Sequence, residues 1–220
     1  MLFIAVLAIT SLQSAVGVPT TPPREMEEQL PFIQFFEVSY AVLVEEIGFR
    51  LSPIGLFLII RMFIARAQNR IALSRWRRLK LFFASFLYPE GAKKMVGLKT
   101  VSEFGIRGGI SDNEWGMILA TSCAWGLAHY LFGWSIGKVT PVIAIGLVSG
   151  LIYIAYGAYA PILLHWFFNY YFWVLGSSLD YYPYLLPISA IAIILMFVVG
   201  IGGWIIFAIV GVKRVVGKFR

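Results

Sequence analysis

Two adjacent carboxylates and an arginine lie inside a long apolar run, and this combination restricts what the chain can fold into. The run extends over residues 32–64 and contains Glu45, Glu46 and Arg50. One charged side chain at the centre of a membrane helix costs at least about 2.5–3.5 kcal/mol. Glu46 and Arg50 are four residues apart, so on a helix they share a face and can neutralise each other. Glu45 points about 100° away and needs a proton, a cation or a polar cavity.

The composition indicates that this run crosses a membrane. Hydrophobic residues make up 60% of the 220 residues and charged residues only 13%, which is about half the charged fraction of a soluble domain. We therefore predict one membrane domain over residues 1–220, with no soluble domain of useful size. The single cysteine, Cys123, excludes an internal disulfide and a multi-cysteine metal site.

The net charge of +7 comes mainly from two basic blocks, residues 66–80 and 213–220, with a smaller set at Lys93, Lys94 and Lys99. Basic flanks of this kind mark the cytoplasmic ends of membrane segments and attract anionic lipid headgroups. They favour a cell-membrane protein over a nucleic-acid-binding protein. They also place the C-terminus and the 66–114 region in the cytoplasm.

The apolar pattern predicts an all-α, polytopic transmembrane bundle of about six membrane segments. No basic residue lies near the start of segment 1–18, which favours a first spanning helix over a signal segment. Pro53 predicts a break between a motif helix over about 33–51 and a bent or separate segment over about 54–65. The later apolar segments are 115–137, 141–156, 161–176 and 185–212.

Three polar stretches connect these segments. Residues 19–31 form an acidic loop that is rich in Pro and Thr. Residues 66–86 alternate basic and apolar side chains, which is typical of an interfacial helix lying on the membrane, although a solvated loop is the alternative. Residues 88–114 are predicted to be a glycine-bearing cytoplasmic loop. Together, residues 66–114 form a basic insertion.

The later apolar segments contain His129, His165 and Asn169, and these are the side chains that can serve Glu45. His165 and Asn169 are four residues apart and share a helix face. One carboxylate and two imidazoles can hold a divalent metal with an open position for water. Alternatively, the carboxylate acts as a general base on a water held by the other groups. Taken singly, a membrane histidine is more often an interhelical hydrogen-bond donor, and a glutamate pair can also belong to a proton relay.

The three motifs resemble the signatures of a known family. Glu45-Glu46-x-x-x-Arg50, Trp125-x-x-x-His129 and His165-x-x-x-Asn169 are similar, in this order, to those of the CPBP intramembrane proteases. This family comprises type II CAAX prenyl endopeptidases and bacteriocin-processing or immunity-type proteins. The resemblance covers about residues 33–176, and the shortness of the chain is typical of a prokaryotic member.

The resemblance implies an all-helical core enclosing a conical cavity, and it assigns catalytic roles. Glu45 would activate water, and His129 would hold that water or the oxyanion. His165 and Asn169 would complete the site, with Asn169 donating to the oxyanion. A divalent metal such as zinc, bound by Glu45, His129 and His165, and a metal-free mechanism remain equally open.

The resemblance also assigns supporting roles. Glu46 and Arg50 would form a structural pair, as their spacing already suggests. Trp125 stands where the family usually has Phe; it keeps an aromatic ring, so we expect little effect on the chemistry. Leu51 stands where many members have Gly.

The expected function is hydrolysis of a peptide bond in a membrane-associated or prenylated-type peptide or protein. The alternatives are a non-enzymatic immunity or scaffold protein of the same fold and a proton-coupled transporter. The predicted boundaries contain one conflict, because His129 would lie about 21 Å and His165 about 6 Å from the starts of their segments. For the two side chains to meet, the boundaries must shift or a segment must be tilted or broken.

Overall fold

The computed structural model of the protein describes residues 1–180 and 183–217, and this part of the chain is helical without β-strands. The prediction of an all-α fold is thereby confirmed for these residues. The α-helices are α1 (Leu2–Ala15), α2 (Arg24–Glu27), α3 (Pro31–Glu46), α4 (Ser52–Gln68), α5 (Arg75–Leu87), α6 (Pro89–Met95), α7 (Val101–Gly109), α8 (Asp112–Leu131), α9 (Val139–Tyr156), α10 (Tyr159–Asp180) and α11 (Leu186–Gly217).

The predicted separation of two segments at Pro53 is wrong, because α3 and α4 form one continuous helix. A π-helical segment, Ile47–Leu51, joins them, and the backbone N–H of Ser52 donates to the carbonyl of Ile47, five residues back. Proline lacks a backbone donor and its ring crowds the preceding turn of an α-helix. The wider π turn accommodates this proline without interrupting the helix.

Three helical stretches among the described residues are long and apolar enough to cross a membrane: Pro31–Gln68, Ile136–Tyr156 and Pro183–Lys213. They support a membrane location for the protein. Helix α1, predicted to be a first span, has 14 residues and is about 21 Å long, which is shorter than a hydrocarbon core of about 30 Å. The count of about six segments stays a prediction.

Helices α8 and α9 form a closely packed antiparallel pair at the centre of the bundle. Gly150 on α9 lies so close to Ile118 on α8 that a Cβ atom there would stand 2.8 Å from the isoleucine side chain. Gly150 therefore allows the two helices to pack closely. On one side of this pair, Leu58 and Tyr153 belong to a core with α4, α5 and α6. On the other side, a second core joins α8 and α9 to α1 and α10.

The predicted loop over residues 88–114 is wrong, because this region contains α6, α7 and the start of α8. The amphipathic helix expected over residues 66–86 is present as α5, which begins only at Arg75 because α4 continues to Gln68. Trp76 on α5 is 74% exposed, whereas Leu81 is buried against the core. We call α5, α6 and α7 the basic layer.

A buried ion network attaches the basic layer to α4 and α8. Glu114 is fully buried, and its carboxylate lies 2.9 Å from the guanidinium of Arg61 and 3.0 Å from the ammonium of Lys93. The same carboxylate accepts a hydrogen bond from the backbone N–H of Ser111 at 2.7 Å, which completes a capping box at the start of α8. Lys93 also donates to the carbonyl of Gly109. Polar groups are tolerated here because each charge has a partner.

Glu90 caps the start of α7, another short helix of the basic layer. Its carboxylate accepts hydrogen bonds from the backbone N–H groups of Val101 at 3.1 Å and Ser102 at 2.8 Å, at the start of α7. Burial favours the neutral form, but the hydrogen bonds from Ser102 and Val101 outweigh it and lower the pKa of Glu90 below its ordinary value. Glu90 therefore carries its charge at neutral pH and complements the positive end of α7.

We predict that Glu114→Gln lowers the free energy of unfolding in detergent by about 3–5 kcal/mol, because it leaves Lys93 buried without a counter-charge. Chemical unfolding followed by tryptophan fluorescence measures the change. Glu103→Gln is the matched control, since Glu103 lies in the same layer and is exposed. Equal stability of the two variants would contradict the structural role of the network.

Candidate active site

Polar contacts between α3 and α10 bring the first and third motifs together. The amide nitrogen of Asn169 donates to the carbonyl of Val38 at 3.1 Å, and the indole of Trp166 donates to the carbonyl of Ser39 at 3.0 Å. The hydroxyl of Tyr170 lies 2.9 Å from that of Ser39. These contacts fix the register of two antiparallel helices, and one turn earlier on α10 His165 faces the glutamate pair.

Glu45, His129 and His165 meet at one point, as the sequence predicted. The Oε2 atom of Glu45 lies 3.8 Å from Nε2 of His129 and 3.9 Å from Nε2 of His165. The indole N–H of Trp125 donates to the same oxygen at 2.6 Å. We call these four residues the Glu45 cluster. Three segments that are distant in sequence thus supply one site.

The Nδ1 atom of each imidazole lies against an acceptor. This contact determines how the ring, with its Nε2 atom, faces Glu45. Nδ1 of His129 lies 3.0 Å from the carbonyl of Trp125, and Nδ1 of His165 lies 2.9 Å from a carboxylate oxygen of Glu46. Carbonyl and carboxylate oxygens only accept, so both Nδ1 atoms carry the hydrogen. In the neutral rings, each Nε2 therefore presents a lone pair toward Glu45.

This arrangement leaves room for a bound water between Glu45 and the imidazoles. The separations of 3.8 and 3.9 Å exceed hydrogen-bond length, yet they allow one water to bridge the carboxylate and an imidazole. Atoms bound to one tetrahedral zinc ion lie about 3.4 Å apart. Among the described residues, no group of three His, Cys, Asp or Glu side chains is arranged to hold a metal ion.

Glu46 and Arg50 form the buried pair that their spacing predicted. Their charged groups lie 3.5 Å apart, and both side chains are fully buried. The guanidinium also lies 3.8 Å from the centre of the Trp125 ring, in a cation–π contact. Gly146 on α9 leaves the necessary space, because a Cβ atom there would stand 2.9 Å from a guanidinium nitrogen. The π-helical segment that contains Arg50 therefore packs directly beneath the site.

Three contacts of this site were missed in the sequence. Glu46 was interpreted only as the partner of Arg50, but it also holds Nδ1 of His165. Trp125 was expected to matter only as an aromatic ring, but its N–H donates to Glu45 and its face covers Arg50. A buried indole N–H usually needs an acceptor, and that rule was the available signal for the second contact.

The two histidines reach the same carboxylate oxygen of Glu45 although they lie at different distances along their helices. His129 follows the start of α8 by about 26 Å, and His165 follows the start of α10 by about 9 Å. Helix α8 starts within the basic layer, beside Lys93. Helix α10 follows a tight turn at Gly157, where φ is 97° and Ala158 donates to the carbonyl of Leu87. The helix boundaries had been predicted only to within several residues.

A cavity of about 760 Å³ extends from the Glu45 cluster, which is a volume typical of ligand pockets. Asn169 lines it beside His165; one of its two N–H groups is used by Val38, and the other is not accounted for by that bond. The far part of the cavity is lined by side chains from the α1–α3 connection, α3, the α8–α9 connection and α10: Thr20, Pro22, Met26, Gln34, Glu37, Trp134, Lys138 and Trp173.

Comparisons with known proteins do not place the chain in a family. No protein-family model matches it, and no curated protein or solved structure matches it significantly. The resemblance to the CPBP proteases therefore stays a prediction from the three motifs.

We predict that Arg50→Leu lowers the free energy of unfolding by about 3–5 kcal/mol, because it leaves the Glu46 carboxylate buried without its cation. The double variant Glu46→Leu/Arg50→Leu removes both charges and should recover much of this loss. Unfolding of the purified variants in detergent compares them. A double variant less stable than Arg50→Leu would show that the pair does not act as a compensating unit.

Proposed function

We propose that the protein is a multi-pass intramembrane endopeptidase of the CPBP type, with about six membrane segments. The observation that carries the proposal is the position of the Glu45 carboxylate, at a cavity wall and facing Nε2 of both His129 and His165. A base beside two oriented imidazoles is an arrangement that activates water. The motif resemblance points to the same reaction class.

In the proposed reaction, Glu45 removes a proton from a water molecule that His129 or His165 holds through its Nε2 lone pair. The water oxygen forms a bond to the carbonyl carbon of the substrate, and the carbonyl oxygen becomes an oxyanion. The second N–H of Asn169 is the donor that stabilises this oxyanion. The C–N bond then breaks, and the proton held by Glu45 passes to the leaving amine.

The remaining residues act by positioning. Trp125 holds the Glu45 carboxylate, and its carbonyl holds His129. Glu46 holds His165, and Arg50 balances the charge of Glu46. Each group that touches the water is thus supported by a second contact, which is how catalytic sites preserve their geometry.

A metal-dependent version of this reaction is the alternative. Glu45, His129 and His165 are ligand types that zinc accepts, and their separations of 3.8 and 3.9 Å exceed the distance between two ligands of one tetrahedral zinc ion by about half an ångström. Metal analysis of the purified protein, together with peptide cleavage measured with and without a chelator, distinguishes the two mechanisms. Loss of cleavage with the chelator and recovery with zinc would favour the metal.

We predict that Glu45→Gln slows peptide cleavage by a factor of about 10²–10⁴, the usual contribution of a general base. The assay uses purified protein in liposomes and a pool of quenched fluorescent peptides, each carrying one apolar anchor. Glu103→Gln, which changes an exposed carboxylate in the basic layer, is the matched control and should cleave normally.

The unfolding transition of each variant shows whether loss of activity reflects loss of the fold. Full activity in Glu45→Gln would overturn the mechanism. Peptide binding without turnover by the unaltered protein would instead favour a non-enzymatic scaffold or immunity function.

A further inference from the structure

The two ends of the bundle carry opposite charge. The basic layer and the turn before it expose eight basic side chains. The exposed acidic side chains described at this end are those of Glu103 and Asp112. These basic residues are Arg70, Arg75, Arg77, Arg78, Lys80, Lys94, Lys99 and Arg107. In α11, Gly203 packs against Met1, and Lys213 lies ten residues further along the helix. The second basic block therefore begins toward the same end as the basic layer.

The opposite end is formed by the connection between α1 and α3 and the connection between α8 and α9. Ser135 donates through its backbone N–H to the carbonyl of Thr21 at 3.1 Å, and Gly137 donates to that of Pro19 at 3.1 Å. Among the side chains whose exposure the structure describes, the exposed charged groups here are acidic except for Arg24, which pairs with Glu28 at 3.8 Å, and Lys138 of the α8–α9 connection is half-buried. We call this the acidic end; Glu25, Glu28 and Glu37 are its exposed carboxylates.

The cavity extends from the Glu45 cluster toward the acidic end. Thr20, Met26 and Trp134 line it there, and all three belong to or adjoin the two connections that form this end. Leu81, Lys93 and the other buried residues of the basic layer do not line it. Glu45 is therefore connected to the acidic end of the protein.

We infer that the Glu45 cavity is reached from the non-cytoplasmic side of the membrane, and that its substrate is an exported or membrane-inserted polypeptide. Basic residues concentrate on the cytoplasmic side of membrane proteins, so the basic layer faces the cytoplasm and the acidic end faces away from it. A prenylated C-terminus on the cytoplasmic side would meet the basic layer instead. The sidedness follows from charge and geometry alone; the substrate class also rests on the proposed function.

Cysteine accessibility tests the sidedness without any assay of activity. Cys123→Ser removes the native thiol, and two single-cysteine variants are then made in this background. Thr21→Cys lies exposed at the acidic end, and Gln68→Cys lies exposed at the basic end of α4. A membrane-impermeant maleimide should label Thr21→Cys in intact cells and label Gln68→Cys only after permeabilisation. The reverse pattern, or equal labelling of both variants in intact cells, would overturn the inference.

The substrate class is tested with the anchored peptide pool in membrane vesicles of the two orientations. Cleavage should occur in right-side-out vesicles and be lost in inside-out vesicles. Cleavage only in inside-out vesicles would overturn the substrate class while leaving the proposed function intact. Absence of cleavage in both orientations, with the labelling as expected, would overturn the proposed function and the substrate class but not the sidedness.

Discussion

The site depends on the buried carboxylate of Glu46, which contacts both Arg50 and His165. It lies 3.5 Å from the guanidinium of Arg50 and 2.9 Å from Nδ1 of His165. Without Arg50, a charged Glu46 would be too costly to bury, and without Glu46 the ring of His165 would lose the acceptor that orients it. The same carboxylate therefore makes a buried cation tolerable and positions a functional side chain.

Trp125 extends this arrangement to the neighbouring glutamate. Its ring lies on Arg50 and its N–H donates to Glu45, so the balanced pair and the proposed base are held by one rigid side chain. The backbone carbonyl of Trp125 also fixes His129, one turn later on α8. Two glutamates that are adjacent in sequence thereby acquire different environments and different roles.

The spacing of residues in the sequence predicted contacts between residues that lie within one helical turn of each other. The pair Glu46–Arg50 follows from a separation of four residues, and the polar residues within apolar segments identified Glu45 and both histidines. The contacts of Glu46 and Trp125 across helices were missed, because they depend on the register between helices. The region 88–114 was predicted as a loop because its helices are short and polar; pairing such as Lys93 with Glu114 stabilises them.

The π-helical segment Ile47–Leu51 adds one residue to the helix within a single turn. An α-helix turns about 100° per residue, and a π turn contains about one residue more than an α turn. The added residue is therefore taken up inside the turn, and α4 keeps nearly the angular position that follows a regular α-helix. One extra residue in a regular α-helix would instead rotate α4 by about 100° and move Arg61 away from Glu114, its partner at 2.9 Å. The π turn thus makes the spacing around Glu45 compatible with the attachment of the basic layer.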